Sequence, residues 1–278
     1  MTNMSDYEMP VAKLLDYELD NENETSSLDW PDYVDLFQLT LDHGSELIRM
    51  ATDRELQDGW APIHAWRSLG QLGAVEAVEP LLNLDADHFD FEYWDWYSEE
   101  IPQVVALIGP SAIPKIGNVL ANPTSEWKWI SAIDCVKHIY QKHPQTRSDL
   151  IGILQPCLAN FAQNTPDFNG FLISGLCDLK AVEAAETIEQ AFAAKAVDLS
   201  IAGDWLEVQV ELGLKKRSEV PMRGFSATEA FELSKEAIAI RRFVERTMNR
   251  SQPKGFGSKN QASQKKVKQT KKDKKKKK

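Results

Sequence analysis

The sequence predicts an all-α chain, a right-handed α-α superhelix of stacked helix pairs, bounded by an acidic N-terminal segment and a lysine-rich tail. Three observations predict it. A tetrapeptide and its flanking leucines recur, turn signals return at a nearly constant interval, and the apolar residues between turns fall at helical spacing.

The recurrence is seen by setting LGQLGAVEAVEPL, Leu69 to Leu81, against LCDLKAVEAAETI, Leu176 to Ile188. Leu69 and Leu72 fall on Leu176 and Leu179, and Ala74-Val75-Glu76-Ala77 returns 107 residues later as Ala181-Val182-Glu183-Ala184. A further copy lies between them: in VVALIGPSAIPKIGNVL, Gly109 follows Gly73 by 36 residues. The same step taken again reaches the turn at His143-Pro144, and once more Lys180. Gly73 and Gly109 suit the left-handed backbone that ends a helix, and Pro110 stands where no helix need continue. A helix pair of this size cannot bury both apolar faces alone, so neighbouring pairs are expected to stack into one continuous core.

The elements follow in order. Residues 1 to 27 are acidic, with Asp16, Glu18, Asp20, Glu22 and Glu24 almost alternating, and are expected to be largely disordered, with Val11, Leu14 and Leu15 able to form one docking turn. Repeats are expected over 28 to 214, with helix starts at Asp29-Trp30-Pro31 and at Thr40. WLEVQVELGL is ambiguous, because Val208, Val210, Leu212 and Leu214 alternate as a strand would. Residues 215 to 250 read as a capping region whose last helix carries Phe231, Ile238 and Val244. Beyond Arg250, Pro253, Gly255 and Gly257 break all periodicity, so 251 to 278 reads as a disordered polybasic tail.

WAPIHAWRSLGQLGAVEAVEPLLNL, AIPKIGNVLANP and FLISGLCDLKAVEAAETIEQAF resemble the HEAT-like repeats named after phycobilisome lyase subunits, over roughly Leu28 to Leu214. The resemblance implies a fold more than an activity. It also implies an Arg and an Asp at fixed inter-repeat places; Arg67 fits one, whereas the third unit has Trp127-Lys128-Trp129.

The net charge of −10 conceals a division. Residues 251 to 278 hold twelve Lys and one acid, a net +11, which leaves −21 for the first 250 residues. Lys265, Lys266, Lys268, Lys271, Lys272, Lys274, Lys275, Lys276, Lys277 and Lys278 form a candidate polyanion-binding tail, for RNA, ribosomes or anionic surfaces. No aromatic follows Phe256, so such binding would be unspecific. A tail folding back on the acidic body is the other reading.

The second candidate surface is DADHFDFEYWDWYSEE, where Phe89, Phe91, Tyr93, Trp94, Trp96 and Tyr97 lie among acids. Displayed, they would bind a basic protein partner; packed, they would be core. Asp85, Asp87, His88 and Asp90 lack the glycine and closing glutamate of a calcium loop and have no zinc spacing.

Cys135, Cys157 and Cys177 sit among apolar residues with no CxxC, as inert core thiols do. The five histidines are dispersed, and His64, between Trp60 and Trp66, is expected partly buried with one hydrogen bond. No nucleophile elbow or phosphate-cradling glycine loop occurs, so no catalysis and no cofactor are expected. No run reaches about 18 uninterrupted apolar residues, and the start lacks a signal peptide, so the expected location is cytoplasmic. The sequence thus predicts a scaffold binding another protein. An accessory or lyase-like role in cofactor attachment, implied by the resemblance alone, and an RNA- or ribosome-associated adaptor are the alternatives.

Overall fold

The computed structural model describes residues 7–18, 30–57, 59–84, 91–122 and 126–220, without the side chains of 91–95, 126 and 127. The described residues belong to one compact unit, Met1–Val220; Pro221–Lys278, with the expected final helix and tail, lies outside the described residues.

Among the described residues every regular element is helical. The longer ones begin with α1 (Tyr33–Phe37), α2 (Gly44–Ala51), α3 (Ala61–Leu72), α4 (Val78–Leu82), α5 (Phe91–Ile108) and α6 (Ile113–Ala121). They continue as α7 (Glu126–Lys142), α8 (Arg147–Ala159), α9 (Pro166–Asp178), α10 (Ala185–Ala193), α11 (Leu199–Ala202) and α12 (Trp205–Glu211). A short 3₁₀ turn precedes each of α4, α6, α8 and α10.

The repeated tetrapeptide has a physical cause. At the end of α3, Gly73 adopts φ +64°, its N–H donates to Gly70 O and that of Ala74 to Leu69 O; Lys180 at φ +50°, with donation to Cys177 O and from Ala181 to Leu176 O, repeats the motif after α9. Ala77 and Ala184 then donate back to Ala74 and Ala181 and are wholly buried, as are Leu69 and Leu176. Small alanines are needed where the turn is pressed into the core. Gly109 takes φ +82°, but His143 does not take the left-handed form, and Pro144 ends that helix instead.

The helices pack in two rows. α3, α5, α7 and α9 touch in sequence, as do α4, α6, α8 and α10. Close approach is built into the first row at Gly70, where a Cβ would stand 3.2 Å from the Val104 carbonyl oxygen. Polar bridges cross from unit to unit at nearly the repeat interval. Gln71 accepts from Tyr33 N and donates to Pro31 O, Lys115 reaches Glu76, and Arg147 pairs with Glu183 while donating to Leu179 O.

Four expectations are sharpened or changed by the structure. In the N-terminal segment the expected docking turn is present: Val11–Leu15 is a 3₁₀ turn with Val11, Ala12 and Leu14 sunk in the core, and Tyr7 donates to Asp53 at 2.8 Å. Burying Val11 and Leu14 completely is enough apolar area to hold so short a turn. The first helix starts at Tyr33, because Asp32 has the free carboxylate that accepts Asp35 N–H. WLEVQVELGL opens with helix α12, since Asp204 and Glu207 form a reciprocal cap and Val208 and Leu212 bury one face. Finally, Trp96–Ala121 is long and apolar enough to cross a membrane by length and composition, with mean hydropathy 1.5; counting only uninterrupted runs missed it. Within it, 56% of the most apolar 18-residue window is buried in the protein, as in a core helix, and Gly109 interrupts the stretch.

Candidate functional site

Three places carry chemistry: a buried polar chain, the aromatic start of α5, and a cleft between α5 and α7.

The buried chain joins the N-terminal segment, α1, α3 and α5. Arg67 is fully buried and Glu100 is 1% exposed, so the pair lies out of water. Arg67 Nε donates to Glu100 Oε2 at 2.8 Å, Arg67 Nη2 donates to Glu100 Oε1, and Trp66 Nε1 donates to Oε2 at 2.8 Å. Burial alone would lower the Arg67 pKa, but the hydrogen bonds and charge of Glu100 outweigh it and raise it. Arg67 Nη1 also donates to the Tyr33 hydroxyl at 3.3 Å, and its guanidinium lies 5.2 Å from the Trp30 ring centre.

The chain continues through His64, whose Nδ1 lies 2.9 Å from Tyr33 Oη and whose Nε2 lies 3.1 Å from the Tyr17 carbonyl. A carbonyl only accepts, so Nε2 carries the proton and Nδ1 accepts from the Tyr33 O–H. His64 must then be neutral, and its burial, opposed by the Tyr17 hydrogen bond, lowers its pKa to about 4. Burial likewise raises that of Tyr33 to about 12, keeping the hydroxyl protonated. His64 is therefore wholly buried with two partners, more than the sequence predicted, because Tyr17 and Tyr33 close over it in edge and tilted ring contacts. With Arg67, Glu100, His64 and Tyr33 all buried, this array joins the elements that carry them.

The aromatic surface is only partly assembled. Phe89 lies outside the described residues, as do the side chains of Phe91, Tyr93 and Trp94. Trp96 is half-buried, edge-on to Trp60 at 5.3 Å. Tyr97 is not displayed at all: it is 1% exposed, and its hydroxyl donates to Leu81 O at 3.0 Å. Its place on the stripe Tyr97, Ile101, Val104, Val105, Ile108, all buried, makes it core. Asp85, Asp87, His88, Asp90 and the tail lysines Lys265 to Lys278 lie outside the described residues.

The cleft has a volume of about 500 Å³. Gln103 and Leu107 come from α5, His138, Gln141 and Lys142 from α7, and Trp30 closes one side. The Trp30 indole N–H is closed off from solvent and has no acceptor among the described residues. His143 Nε2, 3.3 Å from Ala106 O, ties the two helices together at the cleft end. The sequence showed no signal for this cleft, since its residues come from three separate stretches of the chain and are individually ordinary.

Cys135 is buried and Cys157 and Cys177 half-buried; desolvation raises all three thiols, Cys177 to about 12, so thiolate is scarce near neutrality. Among the described residues no group of His, Cys, Asp or Glu has the arrangement of a metal site. No family model matches the chain, no curated protein is similar to it, and no solved structure matches its fold.

Proposed function

We propose that this chain is a HEAT-like repeat scaffold, a right-handed superhelix that binds another protein along the face of its second helices and carries out no catalysis. The observation that supports this is the two-row packing, α3–α5–α7–α9 beside α4–α6–α8–α10, with polar bridges recurring from unit to unit. Units that contact only their neighbours build a long surface without a central cavity, which suits recognition of an extended partner. The second row offers charged and apolar groups together: Glu76, Lys115, Arg147 and Glu183 are solvent-accessible, and Val182 is 48% exposed. The test is affinity capture with the full chain, a version ending at Arg250, and the full chain carrying Val182→Glu. A partner retained by the first two and lost by the third supports the reading. Partners captured only when residues 251–278 are present contradict it.

The twelve tail lysines favour a second reading, an adaptor for RNA. Affinity for generic RNA should then fall steeply with salt and vanish in the version ending at Arg250.

A further inference from the structure

We infer that the cleft between α5 and α7 binds a small monoanion with an apolar body, of the aryl carboxylate class. Its volume of about 500 Å³ suits a small molecule, since such sites span about 300–1,000 Å³ with apolar walls and a few polar groups. Leu107 and the Trp30 ring supply the apolar wall, and the Gln103 and Gln141 amides and His138 the polar groups. Among the described residues no carboxylate lines it, although the first 250 residues carry −21. Lys142, by contrast, lines it and makes no ion pair among the described residues. An unpaired ammonium beside an apolar wall in an acidic body selects an anion.

The same charge decides the size of the ligand. An acidic protein or a nucleic acid would meet the field of the whole body and be repelled. A single carboxylate against Lys142 is screened from charges farther than about 8–10 Å. The indole N–H of Trp30, on the same wall and without an acceptor among the described residues, is a donor that a carboxylate oxygen would satisfy once the ring turns toward it. The cleft lies on the row of first helices, so its occupancy does not depend on the protein-binding face proposed above.

Calorimetric titration of the full chain with 3-phenylpropionate, and with the neutral isostere 3-phenylpropionamide, tests this. The carboxylate is expected to bind at one site, with the amide at least about ten-fold weaker. Lys142→Glu should weaken carboxylate binding by a similar factor with an unchanged melting curve, because Lys142 is exposed. Gln103→Trp, which fills the cleft from the exposed side of α5, should abolish it. Retention of the lysine tail in both variants separates cleft binding from tail binding. No heat at millimolar ligand, equal affinity for acid and amide, or binding unchanged in both variants would overturn the assignment.

Discussion

Replacing Glu100 by Gln removes one charge and changes almost no volume, which isolates the electrostatics of the buried chain. In the native protein Glu100 accepts from Trp66 Nε1 and twice from Arg67, both partners out of water. Glutamine keeps one acceptor oxygen, turns the other position into a donor facing a guanidinium, and leaves Arg67 charged without a counterion. Breaking such a pair costs about 3–5 kcal/mol. With a urea slope of about 2–3 kcal/mol per M for a chain this size, the midpoint should fall by about 1–2.5 M. Circular dichroism during urea titration of the full chain reads it. The pair Arg67→Met with Glu100→Met should be milder: no charge is stranded, Tyr33 keeps its bond to His64, and only the Trp66 N–H loses its acceptor, at about 1–3 kcal/mol. A Glu100→Gln variant losing less than about 1 kcal/mol, or a double variant worse than the single, would refute the account of this array.

The His64 pKa of about 4 lies below its unfolded value near 6.5, so the unfolded chain binds the extra proton between them, and stability should fall by roughly 3 kcal/mol as pH drops through that window. In His64→Gln that part of the slope should disappear from the pH dependence of the urea midpoint; identical slopes would show that His64 is not buried neutral. Gly73→Ala meets no neighbouring atom, so it should cost only the left-handed strain, about 1–2 kcal/mol, whereas Lys180→Gly at the matching turn should stabilise by up to about 1 kcal/mol. Thermal melting of both variants checks the opposite signs. Tyr97→Phe should lose about 1 kcal/mol with the Leu81 hydrogen bond, while unchanged stability would return Tyr97 to the surface.

Local features were legible where the repeat forces identity. The buried alanines and left-handed positions of the two tetrapeptide turns leave a visible trace because nothing larger fits there. The buried chain was not legible, since its members sit 31 to 47 residues apart and Glu100 looks like any helix-surface acid. One signal was available: from Ala61 to Gly70, α3 has Arg67 as its sole charged residue, with only His64 and Ser68 as polar neighbours on its face. A helix with so few charges is covered over most of its circumference, so a charge within it must be paired. Part of the covering came from residues 7–18, whose acids hid the apolar Tyr7, Val11 and Leu14 between them, beside α1, α2 and α5. Reading the aromatics of α5 as a surface failed at Tyr97 because mixed acids and rings obscure a stripe that only later apolar residues reveal.

The central claim is that units stack only on their neighbours, and pulsed dipolar spectroscopy between spin labels tests it most directly. With Cys135, Cys157 and Cys177 replaced, labels at 76 and 115 occupy adjacent second-row units, whose side chains meet in the Lys115–Glu76 bridge at 3.3 Å. Labels at 76 and 183 occupy the two matching tetrapeptides, three units apart. At about 8–10 Å per packed helix, the second pair should be separated by roughly 30 Å and the first by about one third of that between backbones. Comparable distances for the two pairs would mean a closed bundle and would contradict the stacked arrangement.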